Sequence, residues 1–95
     1  MSDEILELLQ IVSLGQIRAL ENLLSRSKNL DVNEKDEYGN FAAIIAARRN
    51  DLDMLKLLVE HGAKLDLKDG FGRTIMGWAI KYKNEETIKY INENK

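Results

Sequence analysis

Apolar residues recur along this chain at helical spacing, in short stretches separated by turn signals. Ile5, Leu8, Leu9 and Val12 share one face at i, i+3, i+4, i+7, and Gly15 breaks the pattern. Ile17, Leu20, Leu23 and Leu24 form a second face. Residues 29–37 are polar and turn-like, interrupted by Leu30 and Val32. A third apolar run covers Phe41 to Ala47, and Asn50-Asp51 supplies a helix start. Leu52, Leu55, Leu58 and Val59 repeat the spacing of the second helix, and His61-Gly62 closes it, Gly suiting the left-handed residue after a helix. Ile75 to Ile80 starts a fifth helix, and Ile88 with Ile91 marks a sixth. The pattern predicts six short helices in three pairs. No period-two alternation is long enough for a sheet core.

The pairs repeat. Asp36-Glu37-Tyr38-Gly39 returns as Asp69-Gly70-Phe71-Gly72, 33 residues later. The same shift takes Lys35 to Lys68, Ala46 to Ala79, Leu55 to Ile88 and Leu58 to Ile91. A turn plus two helices at this period cannot bury its own apolar face, so the units must stack.

At specific residues the chain resembles the ankyrin-repeat family. Gly39 to Ala47 stands where the family has G-x-T-P-L-H-x-A-A. Leu57-Leu58-Val59-Glu60-His61-Gly62-Ala63 is similar to its L-L-x-x-G-A, and Val32-Asn33-Glu34-Lys35-Asp36 to its V-N-x-x-D. The resemblance covers essentially the whole chain, most specifically the middle unit. It implies an all-α solenoid of three helix-turn-helix pairs with short β-turn fingers, forming one domain over 1–95. The units expected are a first repeat or N-cap at 1–35, a second at 36–68, and a third or C-cap at 69–95. The T-P-L-H tetrapeptide reads Phe41-Ala42-Ala43-Ile44 in one repeat and Thr74-Ile75-Met76-Gly77 in the other. In the family its Thr and His hydrogen-bond neighbouring turns, so these departures bear on stiffness rather than topology. The first repeat aligns once two extra residues are allowed near Ser25 to Asn29, and the polar stretch from Glu86 to Lys95 suits a cap. A complete three-repeat protein is the expectation.

Composition narrows the chemistry. The chain has 95 residues, 32% of them charged, and a net charge of −2, which is globular but small. It has no cysteine, so disulfides and thiolate chemistry are excluded; a reducing, cytoplasmic location is expected. No apolar run is long enough for a membrane span, and Met1-Ser2-Asp3-Glu4 is not the basic flank of a signal peptide. There is no P-loop, G-x-G-x-x-G or His/Cys metal cluster, so no catalytic residue, cofactor site or metal site is expected. Gly70-Phe71-Gly72 is the nearest approach to a phosphate loop and reads as a turn. His61, the single histidine, falls at a helix end, where the dipole favours a cation. Glu85 and Glu86 are adjacent, so on a helix they face different ways. Trp78 is equivalent to Ile45, which points to a core or half-buried role.

What remains is recognition. The family uses its turn tips and the inner face of the first helix of each pair. By register these are Lys35, Glu37, Tyr38, Asn40, Arg48 and Arg49 in the middle repeat, and Lys68, Phe71, Arg73, Lys81 and Tyr82 in the next. This set holds six bases and one acid, against eight bases and fifteen acids elsewhere, so an acidic chain wears a basic, aromatic concave face. Arg and Tyr dominate interface energetics, and clustered charge speeds encounter with an opposite partner. The same residues also read as solvated helix surface, with Tyr38 and Phe71 packed on neighbouring hairpins. Three readings follow. The first is an adaptor, inhibitor or immunity/effector-type binder holding an acidic partner protein. The second is a nucleic-acid binder through the same face, with Tyr38, Phe71 and Tyr82 stacking on bases; global acidity opposes it. The third, a small enzyme, has no constellation behind it. A monomer or weak homodimer is expected.

Overall fold

The computed structural model describes residues 2–95. Six helices follow in order: α1 (Asp3–Ser13), α2 (Ile17–Arg26), α3 (Ala42–Arg48), α4 (Leu52–Glu60), α5 (Ile75–Lys81) and α6 (Glu85–Glu93). Among the described residues there is no strand, only an isolated antiparallel bridge between Lys68 and Thr74. Helices pack in pairs, α1 on α2, α3 on α4 and α5 on α6, and the first helices of the pairs adjoin one another in the order α1, α3, α5. The all-α, three-pair architecture expected from the periodicity is the one observed.

Helix starts follow local chemistry. Ser2, Asp51, Thr74 and Asn84 cap α1, α4, α5 and α6, each side chain accepting from a backbone N–H three residues on, at 3.2, 3.1, 2.9 and 3.1 Å. At the start of α3 the counterpart of Thr74 is Phe41, which makes no cap bond and is fully buried instead. A cap is worth about 1 kcal/mol; burying an aromatic side chain is worth about 1.5–3 kcal/mol. The exchange therefore favours the core. After their first helices the pairs turn through left-handed residues, Asn50 (φ 56°) and Lys83 (φ 54°). Two extra residues separate the first pair from the second. α2 has 10 residues where α4 and α6 have 9, and the connection 27–41 is one residue longer than 61–74.

α3 is the centre of the core. Every residue from Phe41 to Ala47 is buried, so this helix has no polar face before Arg48. Its four alanines let α1 and α5 approach from both sides, while Phe41 and Ile44 fill the space between layers with Leu8, Leu20, Leu55, Leu58 and Ile75. The outer helices are half-buried amphipathic stripes, as their sequence period requires.

Each finger is wound on an aspartate. Asp36 Oδ1 accepts from the N–H groups of Tyr38 and Asn40, and Asp69 Oδ1 from those of Phe71 and Arg73, all at 2.9 Å. The two fingers then touch through glycines. Gly39 has φ 81°, and a Cβ there would lie 2.4 Å from Gly70 N; a Cβ on Gly70 would lie 2.3 Å from the Tyr38 carbonyl oxygen. Behind the fingers, Asn33 joins the first connection to the second. Its amide donates to the Gly62 carbonyl at 3.0 Å and accepts from Lys64 N at 2.9 Å.

Gly70→Ala should therefore cost about 1–3 kcal/mol by overpacking backbone against backbone, visible as a melting point lower by several degrees. Gly62→Ala, where a Cβ meets nothing within 4 Å, should cost only the strain of its φ of 97°, about 1 kcal/mol. Thermal unfolding by circular dichroism checks the pair; equal melting points for Gly70→Ala and wild type would show that the fingers have room.

Candidate partner-binding face

The eleven residues picked by register form two matching rows on adjacent repeats. Lys35 and Lys68, Tyr38 and Phe71, Asn40 and Arg73, Arg48 and Lys81, and Arg49 and Tyr82 are equivalent pairs, while Glu37 pairs with Gly70. Tyr38 is 68% exposed and Phe71 79%, so neither is packed on the neighbouring hairpin. Lys35, Lys68 and Lys81 are exposed and form no ion pair among the described residues.

Other members of the set are engaged within the chain. Arg49 Nη1 donates to the Ser13 carbonyl at 2.8 Å, holding the open end of α1, and its guanidinium lies where a Cβ on Gly15 would stand. One repeat on, the Tyr82 hydroxyl donates to the Arg48 carbonyl, the corresponding end of α3. Arg49 and Tyr82 thus do the same job: each ties the last turn of the preceding inner helix. Asn84 adds a bond from Nδ2 to Asn50 Oδ1 at 2.8 Å. Arg48 Nη2 donates to Asn40 Oδ1 at 2.8 Å, leaving Arg48 Nε without an acceptor among the described residues.

The third repeat carries a connected aromatic and cationic strip. Arg73 lies over both Phe71 (4.9 Å) and Trp78 (5.5 Å), and Lys81 Nζ sits 4.9 Å from the Trp78 ring. Trp78 stacks on Tyr82 at 6.0 Å between centroids. Half-burial of Trp78 matches its equivalence to Ile45, but its ring also lines an open cleft of about 360 Å³ with Gly72, Arg73, Thr74, Gly77 and Lys81. This contribution escapes register reasoning. The signal for it is the i, i+3, i+4 spacing of Trp78, Lys81 and Tyr82.

Asp69 organises the strip from below. Its side chain is 1% exposed, and Oδ2 accepts from Arg73 Nε at 2.9 Å. Burial pushes its pKa up. Hydrogen bonds from the backbone N–H groups of Arg73 and Phe71, and from the Arg73 guanidinium, outweigh burial and hold the carboxyl below its ordinary value.

A family model of ankyrin repeats in three copies matches residues 8–95. The chain belongs to the ankyrin-repeat family. Ankyrin repeats are in general protein–protein interaction modules. The chain is similar to an ankyrin repeat protein of Rickettsia bellii, 29% identical over 90% of this chain and 53% of that protein. It is similar to serine/threonine-protein kinase 12 of Arabidopsis thaliana, 31% identical over 88% of this chain and 18% of the kinase. It is also similar to ankyrin repeat and SOCS box protein 6 of Pongo abelii, 40% identical over 65% of this chain and 14% of that protein. The chain thus spans about half or less of the length of these curated relatives. Ankyrin architecture explains why His61 is not a cleft residue: it is the C-cap of α4, its Nδ1 3.1 Å from the Leu57 carbonyl. Among the described residues no group of three His, Cys, Asp or Glu side chains could hold a metal ion, and no helix is long and apolar enough to cross a membrane.

The depressed Asp69 pKa fixes a sign. A carboxyl that is more acidic in the folded state adds stability that is full above its unfolded value of about 4 and is lost as pH falls through the folded value. Asp69→Asn should therefore lower stability at neutral pH and flatten the acid loss below about pH 4. Urea unfolding between about pH 2 and 7 measures it; an acid slope identical to wild type would assign the loss to other carboxylates.

Proposed function

We propose that this chain is a non-enzymatic protein–protein interaction module that holds the acidic surface of a partner protein in the cytoplasm, as an adaptor, inhibitor or immunity/effector-type binder. The observation that carries this is the exposure, without an ion pair among the described residues, of Lys35, Lys68 and Lys81, which share the register positions of the contact face with the exposed aromatics Tyr38 and Phe71. Lys35, Lys68 and Lys81 form no ion pair among the described residues, although Lys35 lies over the Phe41 ring and Lys81 over the Trp78 ring, and Tyr38 and Phe71 expose most of their surface. An exposed lysine contributes little to folding, so its clustering here is available for steering and recognition. Arg49 and Tyr82 tie one repeat to the next, and Arg48 bonds Asn40 within the middle repeat. The interaction-module character of the family supports the reading.

The double variant Lys35→Glu/Lys68→Glu reverses charge at two sites that hold no tertiary ion pair. Wild type immobilised on beads should retain a partner from native lysate, release it as salt is raised from about 0.1 to 0.5 M, and the folded variant should retain at least about tenfold less. Equal retention of that partner by both would move the interface off this face.

A further inference from the structure

Among the positions at which the third repeat differs from the second, one pair changes the charge beside Trp78. In the middle repeat the pair is Asn40 and Arg48, a neutral acceptor and one cation, joined by a hydrogen bond from Arg48 Nη2 to Asn40 Oδ1 at 2.8 Å. In the third repeat the same positions carry Arg73 and Lys81, two like charges flanking Trp78 at 5.5 and 4.9 Å. Asp69 takes only the Nε edge of Arg73, whose side chain stays 45% exposed; neither Nη atom is bonded among the described residues. Lys81 has no ion pair among them. Two cations held against one aromatic ring repel each other until an anion sits between them.

The space for that anion is also specific to this repeat. Gly77 stands where α3 carries Ile44, and with no side chain there the floor beside Trp78 opens into the cleft of about 360 Å³. The lining offers two cations and an indole face, and no carboxylate. We propose that this cleft seats a glutamate or aspartate of an acidic peptide segment, the carboxylate between Arg73 and Lys81 and an adjacent apolar side chain against the Trp78 ring. The proposal rests on the acidic-partner reading above and gives it a chemistry: alternating acidic and apolar residues. Charge selects this occupant over a second copy of the chain packed on exposed Ile80 of the same helix, which would bring its own Arg73 and Lys81.

Trp78 is the single tryptophan, so its emission reports on the cleft directly. The full chain is titrated with a dye-free peptide of three Glu-Leu repeats while Trp78 emission is followed, and in parallel with a dye-labelled copy by anisotropy, which detects binding anywhere. Expected are a saturable emission change with this peptide, none with the Gln-Leu counterpart, and at least an about tenfold weaker affinity in Lys81→Glu. Gly77→Ala, whose Cβ would lie on the cleft floor 3.2 Å from Thr74 Oγ1, should weaken binding too, and Lys89→Glu, an exposed charge reversal on α6 outside the candidate face, should leave the emission response in place. Binding by anisotropy with silent Trp78, insensitive to Lys81→Glu but lost in Lys35→Glu/Lys68→Glu, would overturn the cleft and spare the acidic-partner reading. No anisotropy change with wild type would overturn both. An equal response to inorganic phosphate would make the site a general anion site, and a response that tracks a dimer in sedimentation would make the occupant a second copy; either overturns the peptide proposal.

Discussion

The fold depends on covering a helix that has no polar side. From Phe41 to Ala47 every residue is buried, so α3 cannot exist as the surface of anything. A seven-residue helix is too short to be stable by propensity alone. It forms because α1 closes one flank, α5 the other and α4 the back. Each neighbour in turn buries one face only. The stack is therefore a set of mutual obligations, in which no pair of helices is a folding unit by itself.

Apolar covering does not by itself fix the angle or register of one layer on the next. Polar ties do that, and they recur at equivalent places. Arg49 grips the end of α1, and Tyr82 grips the end of α3. Asn33 bridges two connections with both ends of its amide, and the fingers lock through Gly39 and Gly70. Each bond is worth about 1 kcal/mol net, small beside the core. Yet each is directional, which burial is not. Loss of the T-P-L-H side chains therefore leaves the layers registered: Thr74 keeps the cap, and Phe41 contributes core instead.

The architecture was legible because its causes are local or periodic. Apolar spacing marked all six helices to within a residue or two at most ends, and the 33-residue shift revealed the stacking unit. Family likeness in Gly39 to Ala47 then named the unit. The candidate face was legible only as a list of positions. Register could say that Arg49 and Tyr82 are equivalent, but not that both turn inward to carbonyls 36 and 34 residues away in the chain. Nor could it show that Gly77 opens a cleft, since an absent side chain acquires meaning only from what surrounds it. Trp78 was placed by its equivalence to Ile45, yet an indole is larger than the site an isoleucine fills, and the surplus ring became surface.

A repeat protein offers an internal control that single-copy folds lack. Where equivalent positions carry equivalent chemistry, as with the finger aspartates Asp36 and Asp69, the stack needs that chemistry in every layer. Where they diverge, the stack either reaches the same end by other means, as with Arg49 and Tyr82 or Phe41 and Thr74, or gains nothing from the change. Asn40 with Arg48 sets a neutral acceptor beside a single cation, so no like charges meet there. Arg73 with Lys81 places like charges against one ring with a single buried carboxylate to offset them. That excess sits in the layer whose inner helix is least covered, where an incoming chain has access. The proposed acidic-segment cleft therefore rests on divergence from the repeat rather than on agreement with it.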